Sequence, residues 1–133
     1  MPGPPKGKGR HRFTQSGHAY TPKETVEYEK KVAFCYKQQC GNAFFEDHIP
    51  LDMRITAYFQ IPKSVSKKKR QAMIDHLIRP TLKPDSSNVM KAIEDGLNKV
   101  AYSDDAQIVD SQVRRFYSDN PRVVVTIQEA TCI

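Results

Sequence analysis

Residues Leu51 to Phe59 alternate without a break. Leu51, Met53, Ile55, Ala57 and Phe59 fall on one side, and Asp52, Arg54, Thr56 and Tyr58 on the other. A period of two held this long marks a strand with one face buried and one face wet. Pro62 ends the run, because proline cannot continue a strand ladder. The chain must therefore contain a sheet with one covered face, and its helical segments must supply the cover.

Those segments are legible from caps and spacing. Thr21-Pro22-Lys23-Glu24 opens a helix: Thr21 can cap, Pro22 suits the first helical position, and Glu24 completes a capping box. Val26, Val32, Ala33 and Tyr36 give it an apolar stripe, and it ends near Gly41. Tyr28 and Tyr36 read as packing residues. A second helix starts at Ser64 or Ser66 and carries Met73, Leu77 and Ile78 on one face, leaving Lys67, Lys68, Lys69 and Arg70 exposed. A third runs from about Ser87 to Asn98, with Val89, Ala92, Ile93 and Leu97 as its apolar face and Gly96 allowing close approach by a neighbour. Ile108–Tyr117 and Arg122–Glu129 are strands, and Ser118-Asp119-Asn120-Pro121 is read as the turn of an antiparallel hairpin. The order predicts an α+β domain: a small mixed or antiparallel sheet with helices packed on one face. Residues 1–20 are expected to form a basic Gly/Pro-rich arm, and 21–133 the folded domain.

With 133 residues the chain is one domain. No apolar run approaches the ~20 residues of a membrane span, and no secretory signal is present, so a cytoplasmic location is expected. Cys35, Cys40 and Cys132 are an odd count, read as reduced thiols without zinc-ligand spacing. The net charge of +6 is unevenly spread. Lys6, Lys8, Arg10, Arg12 and Lys23 fall in an opening stretch with no acid. Lys63, Lys67, Lys68, Lys69, Arg70, Arg79 and Lys83 share the stretch 61–83 with Asp75 alone. Such blocks can contact phosphate by counterion release, although solvated surface lysine is the commoner fate of charge runs.

Carboxylates interrupt this basic chain at one place. Asp85 stands at a segment entry, Glu94-Asp95 on a helix and Asp104-Asp105 in a turn, with Lys91 among them. Asn88, Lys91 and Asp95 lie three and four residues apart, so one helix can aim all three at the same spot. Acids from several elements suit a hard cation such as magnesium. Plain structural roles are also open to each: Asp85 as a turn initiator, Asp104-Asp105 as an exposed loop, Lys91–Asp95 as a surface ion pair. His11, His18, His48 and His76 show no ligand spacing.

KPDSSNVMKAIEDGLNKVAYSDDAQIV, from Lys83 to Val109, resembles the RusA family of Holliday-junction resolvases. The family pattern is a basic or proline approach, Asp-x-Asp-Asn, a lysine three residues on, Asp-Ala-Leu or Asp-Gly-Leu, and Asp-Asp-x-Gln before a strand. GKGRHRF followed by HAYTPKETVEYE is similar to the family's glycine-rich basic loop and first helix, so the resemblance covers nearly the whole chain. It implies a homodimer, of bacterial or phage origin, that binds four-way DNA junctions and cuts two strands symmetrically with Mg2+, or with Mn2+. It also implies catalytic roles for Asp85, Lys91, Asp95 and Asp105, and metal coordination by Asp85, Asp105 and Asp104. DNA contacts are expected from Lys8, Arg10, Arg12, Lys67, Lys68, Lys69, Arg70 and Asn88.

Two departures stand out. Ser87 replaces the family's second aspartate, and a neutral hydroxyl is a weak magnesium ligand. Either Asp104, Asp95 or water fills the place and the nuclease works, or it demands more metal or manganese, or the chain binds branched DNA and cuts poorly. The chain also begins almost at the glycine-rich loop, where the family opens with a strand. From another class, a basic RNA-binding or protein-interaction domain with purely structural acids is also weighed; divalent-metal binding at Asp85 and Asp105 discriminates it.

Overall fold

The structure is a computed structural model that describes residues 1–8, 12–13, 17, 19–20 and 22–131, with backbone alone at Arg12–Phe13 and Ala19–Tyr20. Arg10, Thr21 and Cys132, and the side chain of Arg12, lie outside the described residues. Strand β1 (Arg12–Phe13) pairs antiparallel with β2 (Ala19–Tyr20). The stretch read as irregular arm therefore holds a short ribbon, with Gly17 at φ 86° between its strands. Helix α1 covers Lys23–Cys40, β3 Leu51–Gln60, α2 Lys67–Ile74, α3 Ser86–Leu97, β4 Ile108–Ser118 and β5 Arg122–Glu129; a single 3-10 turn, Asp105–Gln107, leads into β4.

The main sheet has the order β4-β3-β5, with β3 parallel to β4 and antiparallel to β5. This is the α+β architecture expected, with a mixed sheet. The hairpin expectation is corrected. β4 and β5 do run in opposite directions, but they flank β3 and do not pair with each other. The reversal at 119–121 carries the chain across the end of β3, where the Ile61 N–H donates to the Ser118 carbonyl. The reason lies in β3. Its five alternate residues Leu51, Met53, Ile55, Ala57 and Phe59 are all buried, whereas β5 has one buried residue, Val123. The most apolar strand gains most from the centre, where both its edges are hydrogen-bonded and its inner face is fully covered.

Helix α3 lays Val89, Ala92, Ile93 and Leu97 against that face, as its spacing predicts. Helix α1 packs against α3 through Val32 and Tyr28. A Cβ at Gly96 would sit 2.7 Å from the Val32 Cβ and 3.3 Å from the Glu29 carbonyl oxygen, so only glycine permits this approach. Two helix ends differ from expectation. Pro22, expected at the first helical position, occupies the N-cap of α1, and among the described residues no side chain caps that end. Helix α2 ends at Ile74, because His76 takes φ 64° and the Leu77 N–H turns back to the Ala72 carbonyl. Leu77 is then left 79% exposed, outside the apolar face assigned to it. Ser66 caps this helix, accepting from the Lys69 N–H at 3.2 Å.

The opening residues are tied down. The Met1 amine donates to the Val123 carbonyl at 2.8 Å, the Val123 N–H returns a bond to Met1 at 2.9 Å, and Pro2 bridges Arg122 on the outer edge of β5. Among the described residues, no helix is long and apolar enough to cross a membrane.

Candidate active site

Two local devices present the acids. The first is the start of α3. Asp85 is its N-cap, and its carboxylate accepts from the Asn88 N–H at 3.0 Å. The approach to it is held by Arg115, which reaches from β4 and donates to the carbonyls of Leu82 (2.7 Å) and Pro84 (3.2 Å). The second is the turn into β4. Asp104 caps it by accepting from the Ala106 N–H at 3.1 Å. The buried Gln107 side chain accepts from the backbone N–H groups of Ser103 and Asp104 at 3.1 and 3.2 Å, and donates to the carbonyls of Glu46 and Ile49 at 2.9 and 3.2 Å. The Asp-Asp-x-Gln spacing is thus a capping box that fixes the turn and leaves Asp105 projecting from it.

Lys91 joins the two devices. One helical turn past Asn88, its Nζ lies 3.4 Å from Asp105 Oδ2 and 3.3 Å from Asp95 Oδ1. Asp95 in turn meets Lys8 at 2.8 Å, and Lys8 meets Glu29 of α1 at 2.7 Å. The result is a chain of alternating charge, Glu29–Lys8–Asp95–Lys91–Asp105, across the arm, two helices and the turn. The arm passes very close to α3 here: the Lys8 N–H donates to the Asn88 carbonyl at 3.2 Å, and a Cβ on Gly7 would stand 2.8 Å from the Pro84 Cβ.

Electrostatics fit this placement. Hydrogen bonding to Asp95 raises the Lys91 pKa above 10.5 against a smaller opposing effect of burial, with Asp105 adding to the rise. Burial lowers the affinity of Lys8 for its proton, but Asp95 and Glu29 together outweigh it and the net shift is upward. Burial also pushes Glu94 up, and the negative charge of Asp105 pushes it further. Asp104 is held low by the Ala106 N–H and by hydrogen bonding with Asp105. Tyr102 is raised by burial and by Glu94, Asp105 and Asp95; its hydroxyl donates to the Glu94 carbonyl at 2.8 Å.

The structure thus brings together Lys91, Asp95 and Asp105, and sets Asp104 beside Asp105. Asp85 and Asn88 stand on the first turn of the same helix, with no ion pair between Asp85 and the rest among the described residues. Structural roles are filled as well: Asp85 caps α3, Asp104 caps the turn into β4, and Lys91 pairs with Asp95. Lys8 has both carboxylate partners inside the protein. Lys67, Lys68 and Lys69 are exposed on α2, and Arg70 pairs with Asp119. Sequence reading counts Glu94 only among the acids that suit a cation and gives no role to Glu29, Gln107 or Arg115. For Gln107 a signal existed, its place three residues after a capping aspartate. For Glu29 and Arg115 there was none, since both act across the tertiary fold.

No group of three or more His, Cys, Asp or Glu residues is gathered in a metal-holding arrangement among the described residues. The donor chemistry still suits magnesium, which takes one or two carboxylates and completes its shell with water and phosphate oxygens. Asp105 is a like charge that meets Asp104 and acts on Glu94, the condition a divalent cation relieves. An apolar groove of about 360 Å³ beside α1 and β5 contains none of these acids.

The family model described as "Endodeoxyribonuclease RusA" matches residues 2–128. The chain is 37% identical over 134 residues to YqaN of Bacillus subtilis (strain 168), covering 97% of this chain and 93% of that protein. It is 30% identical over 86 residues to the crossover junction endodeoxyribonuclease rusA of Lactococcus phage r1t, covering 64% of this chain and 59% of the phage protein.

Proposed function

Because this chain belongs to the RusA family of endodeoxyribonucleases, we propose that it resolves four-way DNA junctions by paired, metal-dependent hydrolysis of phosphodiester bonds. The observation that supports this most directly is Lys91 held between Asp95 and Asp105 at the family's motif positions. The working unit in this reading is a homodimer, each copy making one of two symmetric cuts, as part of DNA recombination and repair. Residues 21–133 form the nuclease domain and 1–20 the DNA-facing arm.

A bound magnesium or manganese ion supplies Lewis acidity to the phosphate and a nucleophilic water at neutral pH. Asp85 and Asp105 would hold that ion, with Asp104 as an auxiliary ligand. Lys91, protonated throughout the neutral range, faces the negative charge that develops on the phosphate and leaving oxygen. Asp95 orients Lys91 from one turn away on α3. Asn88 fixes a phosphate oxygen at the helix start. Lys67, Lys68, Lys69 and Arg70 contact backbone without reading sequence, and Arg10 and Arg12 extend that contact along the arm.

The test is cleavage of a labelled synthetic four-way junction with magnesium, beside linear duplex and a metal-free control. Symmetric, metal-dependent nicks confined to the junction are expected, and Asp105→Asn removes them while leaving junction binding intact or tighter. Normal cutting by Asp105→Asn sinks the site assignment. Ser87 supports a second reading, a branched-DNA-binding protein with impaired cleavage, because a hydroxyl stands where the family has a carboxylate. A junction that is bound but uncut by the natural chain, and cut after Ser87→Asp, favours that reading.

A further inference from the structure

The side of the sheet facing away from α1 and α3 carries a second cationic feature, built from different residues. Tyr58 and Phe116 are register partners on β3 and β4, stacked with ring centroids 6.1 Å apart. Arg122, the partner of Tyr58 on β5, lies 3.8 Å over the Tyr58 ring. Arg114 lies 5.0 Å from the centre of the Phe116 ring, and Arg79, from the segment after α2, lies 4.2 Å from the same ring. His76 approaches that ring at 4.4 Å.

Charge pairing separates these arginines from Arg54 and Arg70. Arg54 and Arg70 meet Asp52 and Asp119, and Lys8 and Lys91 meet the site acids. Among the described residues, Arg79, Arg114 and Arg122 have no carboxylate within ion-pair distance. Two guanidinium groups against one ring repel each other, and the ring only partly offsets this. Arg79 Nε donates to the Arg115 carbonyl at 3.0 Å, and Arg122 donates to Ser118 Oγ at 3.3 Å and to the Asn120 carbonyl at 2.9 Å. The donors these bonds leave, together with Arg114, suit an anion that accepts several planar forks at once, as phosphate does. The aromatic support also holds the forks in place beforehand, which lowers the ordering cost of binding. The exposed lysines of α2, which packs against β4, continue the same positive field.

We infer that this open sheet face is a DNA-contacting surface that grips the sugar–phosphate backbone of a duplex arm, with Arg79, Arg114 and Arg122 as its phosphate ligands. The inference rests on the junction-resolving reading for the identity of the DNA. It adds a surface on the side of the sheet away from α3, so that one copy holds DNA on two sides.

The experiment is fluorescence anisotropy of a labelled four-way junction across a salt series, with the natural chain and the combined Arg79→Gln, Arg114→Gln, Arg122→Gln variant. The magnitude of the slope of log affinity against log salt should fall by about three, roughly one for each lost phosphate contact. Affinity should fall at least about tenfold at low salt. The corresponding triple lysine variant should keep most of the slope. Arg114→Gln alone guards against a folding defect, because its side chain is exposed on the sheet surface; its slope should change by about one. An unchanged slope and affinity in the glutamine variants overturns the proposal, even if the natural chain cuts junctions. A natural chain that binds DNA without cutting sinks the nuclease reading while leaving the slope comparison decisive. A natural chain that binds no DNA overturns both.

Discussion

Asp85 has two duties that one substitution can separate. Its carboxylate caps α3 through the Asn88 N–H, and in the proposed chemistry it also holds the cation. Asparagine keeps a capping oxygen but loses the charge, whereas alanine loses both. Asp85→Asn should therefore abolish cleavage with stability within about 0.5 kcal/mol of the natural chain, and Asp85→Ala should abolish cleavage and cost about 1 kcal/mol. Thermal melts read beside cleavage rates check this; retained cleavage in Asp85→Asn would remove the residue from the metal set. Lys91 makes a prediction in pH. Its pKa is raised above 10.5, chiefly by Asp95, so its charged form and any support that form lends to the fold persist below 10.5 and disappear as pH rises through the higher folded value. An alkaline loss of activity due to Lys91 should have its midpoint above 10.5, well outside the neutral range. Measured on a stable junction substrate, a decline that starts near neutrality and vanishes in Lys91→Arg would contradict that assignment.

At the scale of elements, the close passage of α1 over α3 sets the geometry of the charge chain. Gly96 is the contact point, and Glu29 on α1 reaches the site only because the helices approach there. Gly96→Ala improves helix propensity but pushes a methyl into the Val32 side chain. The steric cost should win, destabilising the fold by roughly 1–3 kcal/mol, and cleavage should fall with it as Lys8 and Asp95 lose register. A denaturant melt showing a more stable variant would mean that α1 yields freely. The same scale shows where sequence reading ran short. The strand at Leu51–Gln60 and the buried face of α3 were legible, because each is a local period repeated often enough to identify itself. The hairpin was not: Ser118–Pro121 announces a reversal, but a turn says nothing about which strand lies alongside. The end of α2 was missed for a similar reason, since Leu77 continues the apolar pattern while the backbone at His76 has already left the helix.

The whole molecule sets acids at the junction of two helices, an arm and a turn within a chain of net charge +6. Such a protein must screen its own repulsion and attract a polyanion, so binding should weaken steeply with salt while chelation of the metal should stop cutting and spare binding. Gel-shift and cleavage assays with and without EDTA test the second point; loss of binding on chelation would make the cation structural. Sequence alone determined the fold class, the buried strand, the Ser66 cap and the positions of the motif acids and Lys91, because each is written in neighbours a few places apart. It also marked Ser87 as a departure, visible only against a family pattern. Tertiary structure alone decided that β3 is central, that Glu29 and Lys8 connect to Asp95, that Arg115 steadies the approach to Asp85, and that three arginines meet on two rings across the open face. Those contacts join residues far apart in the chain, and which of many compatible partners meet is settled by how the layers pack, not by any local pattern.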